Sequence, residues 1–154
     1  LHKKFKYKNI YQSISAYGIG FHRHVLEIEQ EINKEVKKSI KIIFTPHLTP
    51  MFRGILSTIY LDLSKNITPK KIHNYLKKYY KNESFVKIKK FNKPIGTGEV
   101  INTNFCHISI CKSRFKNKIL ILSAIDNLIK GGAGQAVQNL NLIYGFNKAL
   151  GLKK

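Results

Sequence analysis

Residues 51–63 constrain this chain most, because they read as one long strand that is apolar on both alternating faces. Side chains along a strand point alternately to opposite sides. Here Ile55, Ile59 and Leu61 fall on one side, and Phe52, Leu56 and Tyr60 on the other. A strand that is greasy on both faces must be covered twice. Helices packed on one side and a second subunit on the other would meet that demand.

The segments around this strand read as an α+β domain. From residue 25 to about 38, Val25, Ile28, Ile32 and Val36 recur at helical spacing, with Lys and Glu opposite them. Residues 40–45 read as a strand, and Pro46 and Pro50 bracket a loop holding His47. Thr68-Pro69 is a helix start, a capping side chain followed by proline at the first helical position. The stripe expected to be buried on that helix is Ile72, Tyr75, Leu76 and Tyr79. Residues 85–89 form a short strand, and 96–104 a loop rich in Gly, Thr and Asn. Residues 107–111 and 118–125 make a hairpin, and a long helix runs from about 132 to 149. The sheet is expected to be mostly antiparallel or mixed, with helices on one face.

No apolar run approaches the ~20 residues that a membrane-spanning helix needs, and the start of the chain is too polar for a signal peptide. Cys106 and Cys111 lie on one expected strand, which makes no disulfide framework and points to a reducing, cytoplasmic setting. Both read as packing residues.

The formal charge of +20 invites a nucleic-acid reading. Yet of the 28 basic residues only Arg23, Arg53 and Arg114 are arginine, the residue suited to bidentate phosphate and base recognition. The lysines are scattered through every segment, in a chain also rich in Ile, Asn and Tyr. That bias matches drift in an AT-rich genome, so no specific nucleic-acid partner is expected. Tyr75, Tyr79 and Tyr80 among lysines are the best support for the opposite view, a non-catalytic basic binding module.

The chemistry concentrates at Ala16-Tyr17-Gly18-Ile19-Gly20-Phe21-His22-Arg23-His24, just ahead of Glu27-Ile28-Glu29-Gln30-Glu31. Histidine titrates near neutral pH and can both take and give a proton. Taken alone, His22 and His24 also read as surface residues capping a helix, or as two metal ligands on an extended segment. No Cys or Asp lies nearby in sequence to complete a coordination sphere, so no metal site is assigned. Arg23 suits a carboxylate or phosphate, and it equally suits a salt bridge to Glu27 or Glu29. Arg53, on an otherwise apolar strand, needs a partner. That partner is either a substrate anion or a glutamate or backbone carbonyl at a dimer interface. The glycines in Lys130-Gly131-Gly132-Ala133-Gly134-Gln135 open the last helix, but they have neither Walker-A spacing nor a strand-turn-helix dinucleotide fingerprint.

Three runs together resemble the C-terminal domain of the N-acetyl-γ-glutamyl-phosphate reductases. These are the His22-Arg23-His24 segment, Phe44-Thr45-Pro46-His47-Leu48-Thr49-Pro50-Met51-Phe52-Arg53-Gly54-Ile55, and Asp126-Asn127-Leu128 leading into Gly134-Gln135-Ala136-Val137-Gln138-Asn139. The resemblance extends from about Ile10 to Leu152. Val25-Leu26 depart from it, standing where Thr-Pro is usual, and Ile129 and Gly132 are also atypical.

The resemblance implies a glyceraldehyde-3-phosphate-dehydrogenase-like C-terminal domain over residues 1–154, for substrate binding and dimerisation. It implies a partner, an N-terminal Rossmann half that binds NADP and carries the nucleophilic cysteine upstream of these residues. It implies reduction of N-acetylglutamyl phosphate to the semialdehyde in arginine biosynthesis, by a homodimer or homotetramer. In that scheme His22 is the acid/base residue, and Arg23, His24 and Arg53 are substrate contacts. Gly134 and Gln135 lie against the cofactor, and His47 leans to a structural role. On its own the chain is expected to be inactive. A related aspartate-semialdehyde dehydrogenase domain is the nearest rival; the His-Arg-His run and the Gly-Gln-Ala-x-Gln-Asn form favour the glutamyl branch.

Overall fold

A computed structural model describes residues 11–152, in two units, Leu1–Phe52 and Arg53–Lys154. In the first unit, β1 (Ser15–Ala16) pairs antiparallel with β2 (His47–Leu48), Ala16 lying opposite His47. Between them runs α1 (His24–Val36), which ends where Lys37 turns to φ 51° and donates its N–H to the Asn33 carbonyl. The expected helix is therefore present.

The strand expected over 40–45 is absent, and His47, expected in a loop, lies in β2 instead. The reason is local. The Ile40 N–H is taken by Asn33 Oδ1 at 2.6 Å and the Ile42 N–H by Glu29 Oε1 at 3.0 Å. The donors that a ladder would use are spent on side chains of α1. Glu29 is buried there, and Lys41 adds a contact at 3.2 Å. The Ile42 N–H foremost, with Lys41, outweighs burial and holds the Glu29 carboxyl below its ordinary range.

In the second unit, β3 (Ile55–Asp62), β4 (Val86–Ile88), β5 (Cys106–Lys112) and β6 (Lys118–Ile125) form one sheet in the order β3-β6-β5-β4. β3 and β5 both run antiparallel to β6, while β4 lies parallel to β5. This is the expected α+β arrangement with a mostly antiparallel sheet. β3 starts at Ile55, later than the hydrophobic run, because the chain is pinned just before it. Gly54 sits at φ 113°, where a Cβ would meet Thr97, and donates its N–H to Asn127 Oδ1 at 2.7 Å.

α2 (Pro69–Tyr79) is capped as read from sequence, with Thr68 Oγ1 accepting the Lys71 N–H at 3.2 Å. Its inner face differs from the expected one. His73 is the buried residue, Ile72 and Leu76 are half-buried, and Tyr75 and Tyr79 are 64% and 66% exposed. The helix packs against β4 and β5. His73 Nε2 reaches the Lys89 carbonyl at 2.9 Å, and its ring meets Phe91 edge-on. That polar anchor turns the two tyrosines outward, where they stack on each other at 6.0 Å. A short 3-10 turn (Thr97–Glu99) precedes Val100, which packs with Ile95 and Ala124 beneath Phe105 and Leu122.

After β6, a π turn (Ile129–Ala133) leads into α3 (Gly134–Ile143). The helix stops short of the expected residue 149. Gly145 turns the chain at φ 69°, and the buried Asn141 ties the tail back through its amide to the Leu150 carbonyl at 2.9 Å. No helix among the described residues is long and apolar enough to cross a membrane.

Candidate active site

His22 follows a turn in which Gly18 and Gly20 take φ 58° and 76°, a region glycine enters without cost. Its ring is enclosed by other rings, with Tyr17 edge-on at 5.5 Å, Phe44 tilted at 5.3 Å and His24 edge-on at 4.7 Å. A Cβ on Gly18 would stand 3.0 Å from His22 Cδ2, so this glycine also provides room for the imidazole. The His24 backbone N–H donates to His22 Nδ1 at 3.3 Å. Arg23 and His24 are exposed. Of the two glutamates offered as partners for Arg23, Glu29 is held by Lys41 and the Ile42 N–H. His47 is exposed, with Nδ1 3.1 Å from the Thr45 carbonyl oxygen.

Arg53 has a partner, and it is neither of the kinds expected. One guanidinium nitrogen donates to Asp126 Oδ2 at 3.2 Å and to Asn102 Oδ1 at 2.9 Å. Asp126 is fully buried and also accepts backbone N–H bonds from Asn102, Leu128 and Ile129 at 2.8–3.1 Å. Burial opposes its charge, but those donors together with Arg53 outweigh it and hold the carboxyl below its usual range. This hub fixes the turn that leads into α3. A carboxylate shortly before a helix is a legible capping signal; in Asp126-Asn127-Leu128 it was read only as part of a longer motif.

Gly134 is buried, and the space a Cβ would need is filled by Asn104 Oδ1 and by Ile129 Cγ2 and O at 2.7 and 2.8 Å. Its missing side chain therefore serves packing within the unit. Gln135 is half-buried, its amide donating to Asn139 Oδ1 at 2.8 Å, which leaves its own Oε1 outside that bond. One turn on, the buried Gln138 accepts from Asn104 Nδ2 at 3.1 Å and Lys130 Nζ at 2.8 Å. Burial draws the Lys130 ammonium below the ordinary lysine range.

Cys106 and Cys111 are free thiols of intermediate burial. His107 points away from Cys106, buried beside Glu99 with Nδ1 3.6 Å from that carboxylate, and burial lowers its pKa. Sequence reasoning missed this pair. Among the described residues, no group of three or more His, Cys, Asp or Glu is placed to hold a metal ion.

The chain belongs to the semialdehyde dehydrogenase dimerisation-domain family, whose model matches residues 1–127. It is 43% identical over 146 residues to an N-acetyl-gamma-glutamyl-phosphate reductase of Thermoanaerobacter pseudethanolicus, covering 92% of this chain and 42% of that one. A Staphylococcus aureus protein of the same name is 42% identical over 154 residues, covering 100% of this chain and 45% of its own. The chain thus spans less than half the length of these relatives. Among solved structures, aspartate semialdehyde dehydrogenase II from Vibrio cholerae superposes with a TM-score of 0.64 at 17% identity. That match covers 82% of this chain and 38% of the other. The aspartate semialdehyde dehydrogenase of Francisella tularensis gives 0.62 at 20% identity, covering 79% of this chain and 35% of that one. At such identities the two structures speak for the fold.

Proposed function

We propose that this chain is the substrate-binding and dimerisation part of an enzyme that reduces N-acetyl-γ-glutamyl phosphate to the semialdehyde with NADPH. The observation that carries this is identity above 40% to reductases of that name over 92–100% of the chain. The reading requires a Rossmann half supplying the nucleophilic cysteine and most of the cofactor site. NADPH, when bound, supplies the hydride.

This chain's own contribution is to hold and move protons and to bind the substrate. His22, fixed by Tyr17, Phe44 and His24, is the group that exchanges a proton or hydrogen bond with the reacting oxygen. Arg23 and His24, exposed beside it, are the substrate-anion contacts. Arg53 retains donors beyond the nitrogen given to Asp126 and is a weaker candidate for the same task. The fit to a cofactor differs between the two residues assigned to it. Gly134 is enclosed by Asn104 and Ile129, so it acts by letting α3 pack, whereas Gln135 Oε1 suits a single polar contact. The setting is proposed to be cytoplasmic.

The test is phosphate-dependent NADP reduction with N-acetylglutamate semialdehyde, using this chain alone and mixed with a matching Rossmann half. Turnover only in the mixture, reduced about 10²–10⁴-fold by His22→Ala, is expected. Association of the halves without turnover would leave a structural dimerisation role as the better reading.

A further inference from the structure

The start of α1 lacks an ordinary cap: Arg23, at the N-cap position, makes no side-chain bond to the helix. The first backbone donors of a helix still need acceptors. Two are found on the same residue. His22 Nδ1 accepts the His24 N–H at 3.3 Å, and the His22 carbonyl accepts the Val25 N–H at 3.0 Å. The imidazole does the work that an Asn or Ser side chain performs at an ordinary cap.

That use of Nδ1 has a chemical consequence. A ring nitrogen that accepts an N–H bond carries no proton, and a neutral imidazole has only one. It must therefore sit on Nε2. Rotating the ring by 180° would fill the same space but set Cδ2 against the His24 N–H, leaving that helix-start donor without its acceptor.

We propose that His22 is a tautomer-locked helix cap, its Nδ1 committed to α1 so that the neutral ring presents Nε2–H as a hydrogen-bond donor. The lock stands on the geometry alone. What the donor serves rests on the function proposed above, where it meets a carbonyl or acyl-phosphate oxygen of the substrate. In this state Nε2 cannot accept a proton, and Nδ1 can accept one only by giving up the cap. His22 in this state therefore acts on the reacting oxygen as a donor.

The experiment is a long-range ¹⁵N–¹H correlation of the histidine rings in the full chain at about pH 8.5, where imidazole is ordinarily neutral. The His22 signals are those lost in His22→Asn. An unprotonated Nδ1 with the proton on Nε2 supports the proposal; a proton on Nδ1, or an even mixture of tautomers, overturns it.

Two variants separate the ring's tasks. Asparagine places an acceptor near the position of Nδ1, and glutamine a donor near that of Nε2. His22→Asn should keep the parent melting temperature, while His22→Gln lowers it by about 2–4 °C through loss of the cap. Equal melting temperatures for the two would count against the lock. In the reconstituted assay the order should reverse, glutamine retaining more turnover than asparagine, which a purely structural histidine would not produce. If the nitrogen signals and melting order hold while His22→Ala leaves turnover intact, the lock stands and the catalytic reading fails.

Discussion

Asp126 is a buried anchor of the second unit. Its carboxylate is fully buried and gathers donors from two loops and from Arg53. Removing the charge leaves the Arg53 guanidinium, itself only a quarter exposed, without its counter-ion. We expect Asp126→Asn to destabilise the chain by about 3 kcal/mol in urea unfolding. The same residue should shape the acid limb. Its folded-state value lies below the unfolded one, so its stabilisation is complete above the ordinary aspartate range near 3.9. It is lost as pH falls from there through the folded value. A pH series of unfolding midpoints should show that loss in the parent and a shallower acid limb in Asp126→Asn. At Gly134 the resemblance implies a cofactor contact, and the space a side chain would need there is taken by Asn104 and Ile129. A glycine in sequence reports that a neighbour comes close, but not which neighbour.

Among the elements, β3 holds the most consequential surface. Among the described residues it is an edge strand, paired only to β6, and Ile55, Leu56, Ile59, Tyr60 and Leu61 are 41–70% exposed on its two faces. The double cover its pattern demands is not supplied within its own unit. Apolar area on this scale marks an interface, in keeping with a dimerisation-domain family. Ile59→Lys should weaken self-association at least tenfold in sedimentation, with little change in the thermal stability of the separated chain; an unchanged dissociation constant would remove β3 from the interface. In α2, periodicity placed Tyr75 and Tyr79 inside because they share a turn with Ile72 and Leu76. The His73 anchor on Lys89 rotates them out. Hydrophobic spacing gives a helix's period reliably but its facing only to within a residue, and one buried hydrogen bond can decide that last step.

At the scale of the whole molecule, the charge of +20 now meets an exposed pair of stacked tyrosines flanked by Lys71, Lys77, Lys78 and Lys81. Core packing no longer accounts for them. We expect polyanion binding to be sequence-independent and to fall steeply between about 50 and 200 mM salt. Anisotropy with labelled single strands would show this, and a salt-resistant, sequence-selective complex would argue for a dedicated nucleic-acid site.

The sequence alone determined the helix periods, the Thr68-Pro69 start, the β5–β6 hairpin, the α+β class and the family. Each of these is written in local spacing, or in runs of residues long enough to be specific. Tertiary structure decided the rest. Residues 40–45 became a latch on Glu29 and Asn33, Arg53 met Asp126 across 73 positions, and the last helix stopped where Asn141 caught the Leu150 carbonyl. The common reason is that backbone donors and buried charges take the best partner that folding brings within reach. That partner is fixed by distance in space, which one chain's order of residues does not record.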